Sequence, residues 1–195
     1  MPRALTEREK CVQCQRLLDK GKAVVLSQGM RKVSVDEIAK AAGMAKGSFY
    51  QHFESKEQYF IRLIEYIHEQ IFIQAEQIVQ SGSNLRENAR DFLRRLFHMP
   101  EMMFFTKNYH YINDLFISMP DIESQSAKQM EADMFEKLLR LAGIDTLKVK
   151  PGVVNNYVHT MYLMMGSDIM MKNDLPETFE CIMDSLISYI FGDKG

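Results

Sequence analysis

Residues 33–57 read VSVDEIAKAAGMAKGSFYQHFESKE, and this stretch decides the fold. Ser34 followed three residues later by Glu37 is a capping box. The Ser hydroxyl accepts the Glu37 amide proton, and the Glu carboxylate reaches back to the Ser34 amide. Val33 before the cap and Ile38 inside the helix can form a hydrophobic staple. Val35, Ile38, Ala39 and Ala42 fall on one helical face. Gly43 suits the left-handed exit that a tight turn needs. Lys46 to His52 predicts a second short helix, with Phe49 and Phe53 facing the core. Ser55 with Gln58 is a further capping box that opens a long helix.

Two short helices around a glycine turn make a helix-turn-helix, whose second helix enters the DNA major groove. The segment GMAKGSFYQHFESKEQYF (43–60) resembles the recognition region of the TetR family of bacterial transcription regulators. The family pattern is roughly Gly, apolar, Ser, Lys, Gly, Ser/Thr, apolar, Tyr, any residue, His, Phe. VSVDEIAKAAG matches the family's preceding helix, and the matched stretch spans about a quarter of the chain. Ala45 departs from it, because the family has Ser or Thr there. Ala cannot cap, and a missing cap costs roughly 1 kcal/mol.

The resemblance implies an all-α protein. An N-terminal three-helix DNA-binding head (1–56) would be joined by a long helix to a larger ligand-binding and dimerisation body (57–195), about nine helices in total. It implies DNA contacts at Ser34, Lys46, Gly47, Ser48, Tyr50, His52 and Lys56. Ser34 and Lys56 lie at helix N-termini, which favour phosphate. Lys46 can reach a phosphate or a guanine edge, and Ser48 is small enough to bring the backbone close to bases.

Charge agrees with that division. Through Lys56 there are 11 Lys and Arg against 6 Asp and Glu; from Glu57 onward there are 13 against 20. A basic head on an acidic body is expected when only the head meets phosphate. No apolar run is long enough to span a bilayer, and MPRALTEREK has no signal-peptide core. A cytoplasmic location with no membrane partner is expected. Three cysteines fit a reducing compartment.

Thr6 with Glu9 caps a first helix, or two abutting ones, running to about Ser27, in which Gly21 marks a candidate bend. Ser55 to about Gln80 is the long connecting helix, closed by Ser81-Gly82-Ser83. Asn84 with Glu87 caps a fifth helix that ends before Pro100. Glu101 to Met119 reads as one aromatic-rich sixth helix. Pro120 and Asp121 open a seventh that ends at Gly143. Pro151 opens an eighth that runs to about Met171. Pro176 opens a ninth that ends near Gly192.

The eighth and ninth helices resemble the family's dimerisation pair. Val154, Val158, Met161, Met165, Ile182, Leu186 and Ile190 are the expected interface, which makes a homodimer on a palindromic operator the expected assembly. Fifteen Met, 12 Phe and 8 Tyr suit an adaptable pocket for a small apolar or aromatic ligand. Its candidate lining is Phe97, Phe104, Tyr109, His110, Phe116 and Tyr162. No nucleophile–base arrangement, phosphate loop or metal-ligand spacing appears, so neither enzymatic activity, a cofactor nor a metal is expected.

The function expected is a DNA-binding regulator, acting as a ligand-responsive repressor. One alternative is a redox sensor on the same frame, working through Cys11, Cys14 or Cys181. Another is an all-α interaction module that no longer reads DNA, for which Ala45 is the support.

Overall fold

The computed structural model describes residues 6–82, 84–118 and 121–192. Among them there are ten helices and no strand. They form two compact units, Met1–His68 and Glu69–Gly195.

The first unit contains α1 (Glu7–Gln28), α2 (Val35–Ala41), α3 (Lys46–Phe49) and the first half of α4 (Lys56–Gln80). The expected boundary at 56/57 falls after the first residue of α4, whereas the compact units divide further along it, between His68 and Glu69. Thr6 caps α1 in a complete capping box with Glu9. Ser34 does the same for α2 with Glu37. Leu17, Leu18, Val25, Ile38, Phe49, Tyr59 and Phe60 are almost wholly buried and make the core.

α1 runs through Gly21 without a break, and the glycine sits at a close approach. A Cβ there would lie 2.1 Å from the Tyr59 hydroxyl oxygen and 3.0 Å from Ile38 Cγ2. The Tyr59 hydroxyl donates to the Leu17 carbonyl at 3.1 Å. Burial pushes this phenol well above its ordinary range, so it stays a protonated donor. Tyr66 donates to Asp19 about two turns further along α4.

The second unit contains the end of α4, α5 (Leu85–Phe97), α6 (Pro100–Lys107), α7 (Tyr109–Ser118), α8 (Asp121–Leu141), α9 (Pro151–Gly166) and α10 (Leu175–Phe191). Phe72 on α4 meets Phe135 on α8 edge-on at 4.9 Å, and Glu76 pairs with Lys137 at 2.6 Å. The α5–α10 seam is polar at its rim. Arg94 forks onto Glu180 at 2.9 and 2.7 Å, Arg90 pairs with Asp184, and Arg86 bonds the Gly192 carbonyl. Beneath it Phe97 meets Phe179 edge-on at 5.1 Å.

The structure corrects several local expectations. The single helix expected over 101–119 is two, α6 and α7, broken at Asn108 (φ −107°, ψ 12°). The Asn108 side chain donates to the Phe104 carbonyl at 2.8 Å and competes with the backbone ladder. This break makes ten helices where nine were expected. α9 stops at Gly166, five residues early. A Cβ at Gly166 would lie 2.9 Å from Thr106 Cγ2, and Ser167 is already extended (ψ 131°). Asn84 makes no side-chain cap; its amide bonds the Glu87 carboxylate at 2.6 Å instead. Ser55 accepts from the Gln58 amide at 3.0 Å, but Gln58 reaches back to the amide of Glu54, so the box is offset by a residue. Ser83, Met119 and Pro120 lie outside the described residues.

Candidate nucleic-acid interface

The turn between α2 and α3 is closed by backbone geometry. Gly43 (φ +67°) donates to the Lys40 carbonyl at 2.9 Å, and Met44 donates to Ala39 at 2.8 Å. These two bonds are the Schellman arrangement, and they require a residue that accepts the left-handed conformation. Arg16 covers the turn, its Nη2 lying 2.9 Å from where a Gly43 Cβ would be.

α3 is shorter than the expected Lys46–His52. It runs Lys46–Phe49, and Gln51 and His52 then close tighter turns onto the Ser48 and Phe49 carbonyls at 3.3 and 3.0 Å. Ala45 holds N-cap geometry (φ −77°, ψ 152°) with no side-chain hydrogen bond, as the sequence implies. Phe49 anchors the helix. It is 0 % exposed and its ring lies 5.3 Å from Phe53 and 5.4 Å from Tyr59.

The other side of α3 is open. A Cβ on Gly47 would meet no protein atom within 4 Å. The fold therefore does not need glycine there, and the thin face is free for something outside the chain. Lys46 is exposed and reaches Asp36 on α2 at 3.4 Å. Tyr50 is 51 % exposed, with its ring edge-on to Phe49 at 5.4 Å. Ser48 is half-buried between them.

Besides Lys46, three residues of the expected set have internal partners. The Ser34 hydroxyl donates to the Glu37 carboxylate at 2.7 Å while it accepts the Glu37 amide. Lys56 donates to the Val33 carbonyl at 2.9 Å and sits 5.4 Å over the Phe60 ring. It thus ties the start of α4 to the start of α2. His52 Nε2 lies 3.1 Å from Gln13 Oε1 on α1. Burial and, secondarily, Lys10 pull the His52 pKa down, which favours the neutral ring with its proton on Nε2. Asp36 and Gln13 are partners that sequence reasoning missed. Each lies ten or more positions from the residue it bonds, and no local pattern announces it.

The remaining expected residues are distributed as follows. Val154, Met161 and Leu186 are 4 %, 0 % and 1 % exposed within the single chain, so its own core takes them. Val158, Met165, Ile182 and Ile190 are half-buried and keep accessible surface. Phe97 and Phe104 are core residues. Tyr109 lies 5.9 Å from Tyr162 and 5.4 Å from His110, and Tyr162 donates to the Phe105 carbonyl at 2.5 Å. His110 is exposed and Phe116 half-buried. Cys11 and Cys181 are exposed and Cys14 is half-buried. Burial pushes the Cys14 thiol up, against the pull of Arg62, which disfavours a reactive thiolate.

Residues 17–63 match the model of the bacterial regulatory proteins of the tetR family. The repressor KstR2 of Rhodococcus jostii (strain RHA1) is 36% identical over 70 residues, which cover 36% of this chain and 34% of that protein. The repressor DhaR of Mycobacterium sp. (strain GP1) is 49% identical over 45 residues, 23% of each. The chain thus matches about a third or less of the length of these curated relatives. Thermus thermophilus FadR, a repressor solved in complex with lauroyl-CoA, shares the fold. It aligns with a TM-score of 0.59 at 16% identity over 93% of this chain and 97% of that one.

Proposed function

We propose that this chain, whose head belongs to the tetR family of bacterial regulatory proteins, is a DNA-binding transcription regulator that acts as a homodimer on a palindromic operator and is released by a small ligand. The observation that carries the reading is the two-sided recognition helix. Phe49 fixes α3 to the core, while Gly47 leaves its outer face bare. Lys46, Ser48 and Tyr50 flank that gap and supply phosphate and base-edge groups. The family model matches residues 17–63, which contain α2 and α3, and KstR2 and DhaR, similar to this chain over 70 and 45 residues, are repressors.

The Lys46–Asp36 pair holds the lysine near the start of α3, where groove contacts begin. Lys56 and Ser34 set the entry of α2 through Val33 and Glu37. The half-buried Val158, Met165, Ile182 and Ile190 form the partner-facing strip of α9 and α10. Paired heads would then reach half-sites about 34–36 Å apart or a multiple of it. α4 runs without interruption from the head into the second unit. A ligand there releases DNA only if it binds the DNA-incompetent state more tightly.

Gly47→Leu tests the interface. The Cβ of the new side chain meets no protein atom within 4 Å, so thermal stability should hold or rise while DNA affinity falls at least tenfold. Unchanged DNA affinity would remove α3 from the interface.

A further inference from the structure

A crevice of about 400 Å³ lies within the second unit, between the last turns of α4 and the outer face of α5. Gln74, Gln77, Ile78 and Ser81 line it from α4; Asn88, Phe92, Arg95 and Met99 line it from α5 and its exit. This volume falls in the range that holds small organic ligands, roughly 300–1,000 Å³.

α5 divides its circumference among three tasks. Leu93, Leu96 and Phe97 enter the core. Arg86, Arg90 and Arg94 turn to α10, where each finds an oxygen partner. The stripe Asn88, Phe92, Arg95 and Met99, spaced four, three and four, is left for the crevice.

Among the described residues of that lining, Arg95 is the only charged group. Its Nε donates to the Asp91 carbonyl at 3.2 Å, and its guanidinium pairs with no carboxylate among the described residues. Asp91, the neighbouring acid on α5, lies 3.8 Å from Arg94 instead. The setting sharpens the contrast, because from Glu57 onward acids outnumber bases 20 to 13. An unpaired guanidinium beside Ile78, Phe92 and Met99 presents a fork for a carboxylate next to an apolar floor.

We infer that this crevice is the effector site of the regulator and takes an amphipathic carboxylate, its head on Arg95 and its apolar body on Ile78, Phe92 and Met99. The effector role rests on the proposed function; the ligand chemistry does not. A molecule seated here bridges the end of α4 to α5, and α4 is the helix shared with the head.

Calorimetry on the intact protein tests the chemistry with decanoate, 4-butylbenzoate and 1-decanol. At least one acid should bind, with decanol at least tenfold weaker. Arg95→Gln should weaken the acid at least tenfold and leave decanol unchanged. The chain has no tryptophan, so Phe92→Trp places a single indole in the crevice, and its emission should shift on acid binding. Binding of neither acid, equal binding of acid and alcohol, indifference to Arg95→Gln, or a silent indole would each overturn the site. Added to a protein–DNA complex, the bound acid should weaken it at least tenfold; an unchanged complex would overturn the effector role. Arg95-dependent acid binding by a protein that holds no DNA would leave the ligand assignment standing and sink the regulator reading alone.

Discussion

The Tyr59 hydroxyl, 3.1 Å from the Leu17 carbonyl, occupies the space that a Cβ on Gly21 would need. Helix α1 and helix α4 are keyed together at this point. In an exposed helix Gly21→Ala would gain about 1 kcal/mol. Here the new Cβ lies 2.1 Å from a buried oxygen, and overpacking of this kind costs about 1–3 kcal/mol. Gly21→Ala should therefore lower the melting temperature. Adding Tyr59→Phe should recover part of the loss, although Tyr59→Phe alone destabilises by about 1 kcal/mol. Additive losses in the double variant would refute the steric account.

Ala45 already has N-cap backbone geometry and lacks only the side-chain oxygen. Ala45→Ser should stabilise α3 by roughly 0.5–1 kcal/mol, seen as a rise of about 1–4 °C in melting temperature for a chain of this size. No rise would mean that α3 is held by the Phe49 anchor alone.

The helix boundaries show which contacts a sequence discloses. Thr6–Glu9 and Ser34–Glu37 were legible because both partners lie three residues apart, and each box forms as expected. The turn at Gly43 was legible for the same reason. The break at Asn108 was hidden, since an Asn inside an apolar helical pattern shows no preference for the Phe104 carbonyl until the helix packs. The close approach of Gly166, the last residue of α9, to Thr106 spans sixty positions and was equally hidden. In the head, the spacing of Phe49 and Phe53 placed them inside, and the family resemblance pointed to Lys46 and Tyr50 as outward contacts. The pairings Lys46–Asp36 and His52–Gln13 needed the fold. Val154, Met161 and Leu186 carried the same apolar signal as their neighbours, and spacing alone could not separate the chain's own core from a partner's surface.

Acid should weaken the head through its caps. The Ser34 hydroxyl and then the Ser34 amide hold the Glu37 carboxyl below the ordinary range, and the Thr6 amide and hydroxyl do the same for Glu9. A depressed folded pKa means that the unfolded chain takes up the proton first as pH falls. The contribution is complete above the ordinary glutamate value, about 4.3, and is lost as pH drops through the lower folded value. Glutamine keeps the box without a titrating proton. Melting temperatures from about pH 6 to 3 should therefore fall less steeply in Glu9→Gln/Glu37→Gln than in the parent. Equal slopes would remove the caps as the cause.

The proposed partner strip of α9 and α10 predicts its own disruption. Light scattering should give twice 22.7 kDa for the parent chain. Val158→Glu with Ile182→Glu should give the single-chain mass with helicity retained, since both side chains are only half-buried in one chain. A parent protein that is monomeric at micromolar concentration would exclude this strip.

The most direct measurement is fluorescence anisotropy of the purified protein on DNA from beside its own gene and on scrambled DNA, at several salt concentrations. Sequence-specific regulation predicts a preference of at least ~10³ for the adjacent DNA, abolished by Lys46→Ala with Tyr50→Ala while the oligomer persists. Equal, steeply salt-dependent binding to both would show that only phosphate is read, and would contradict the account of α3 as the reading helix.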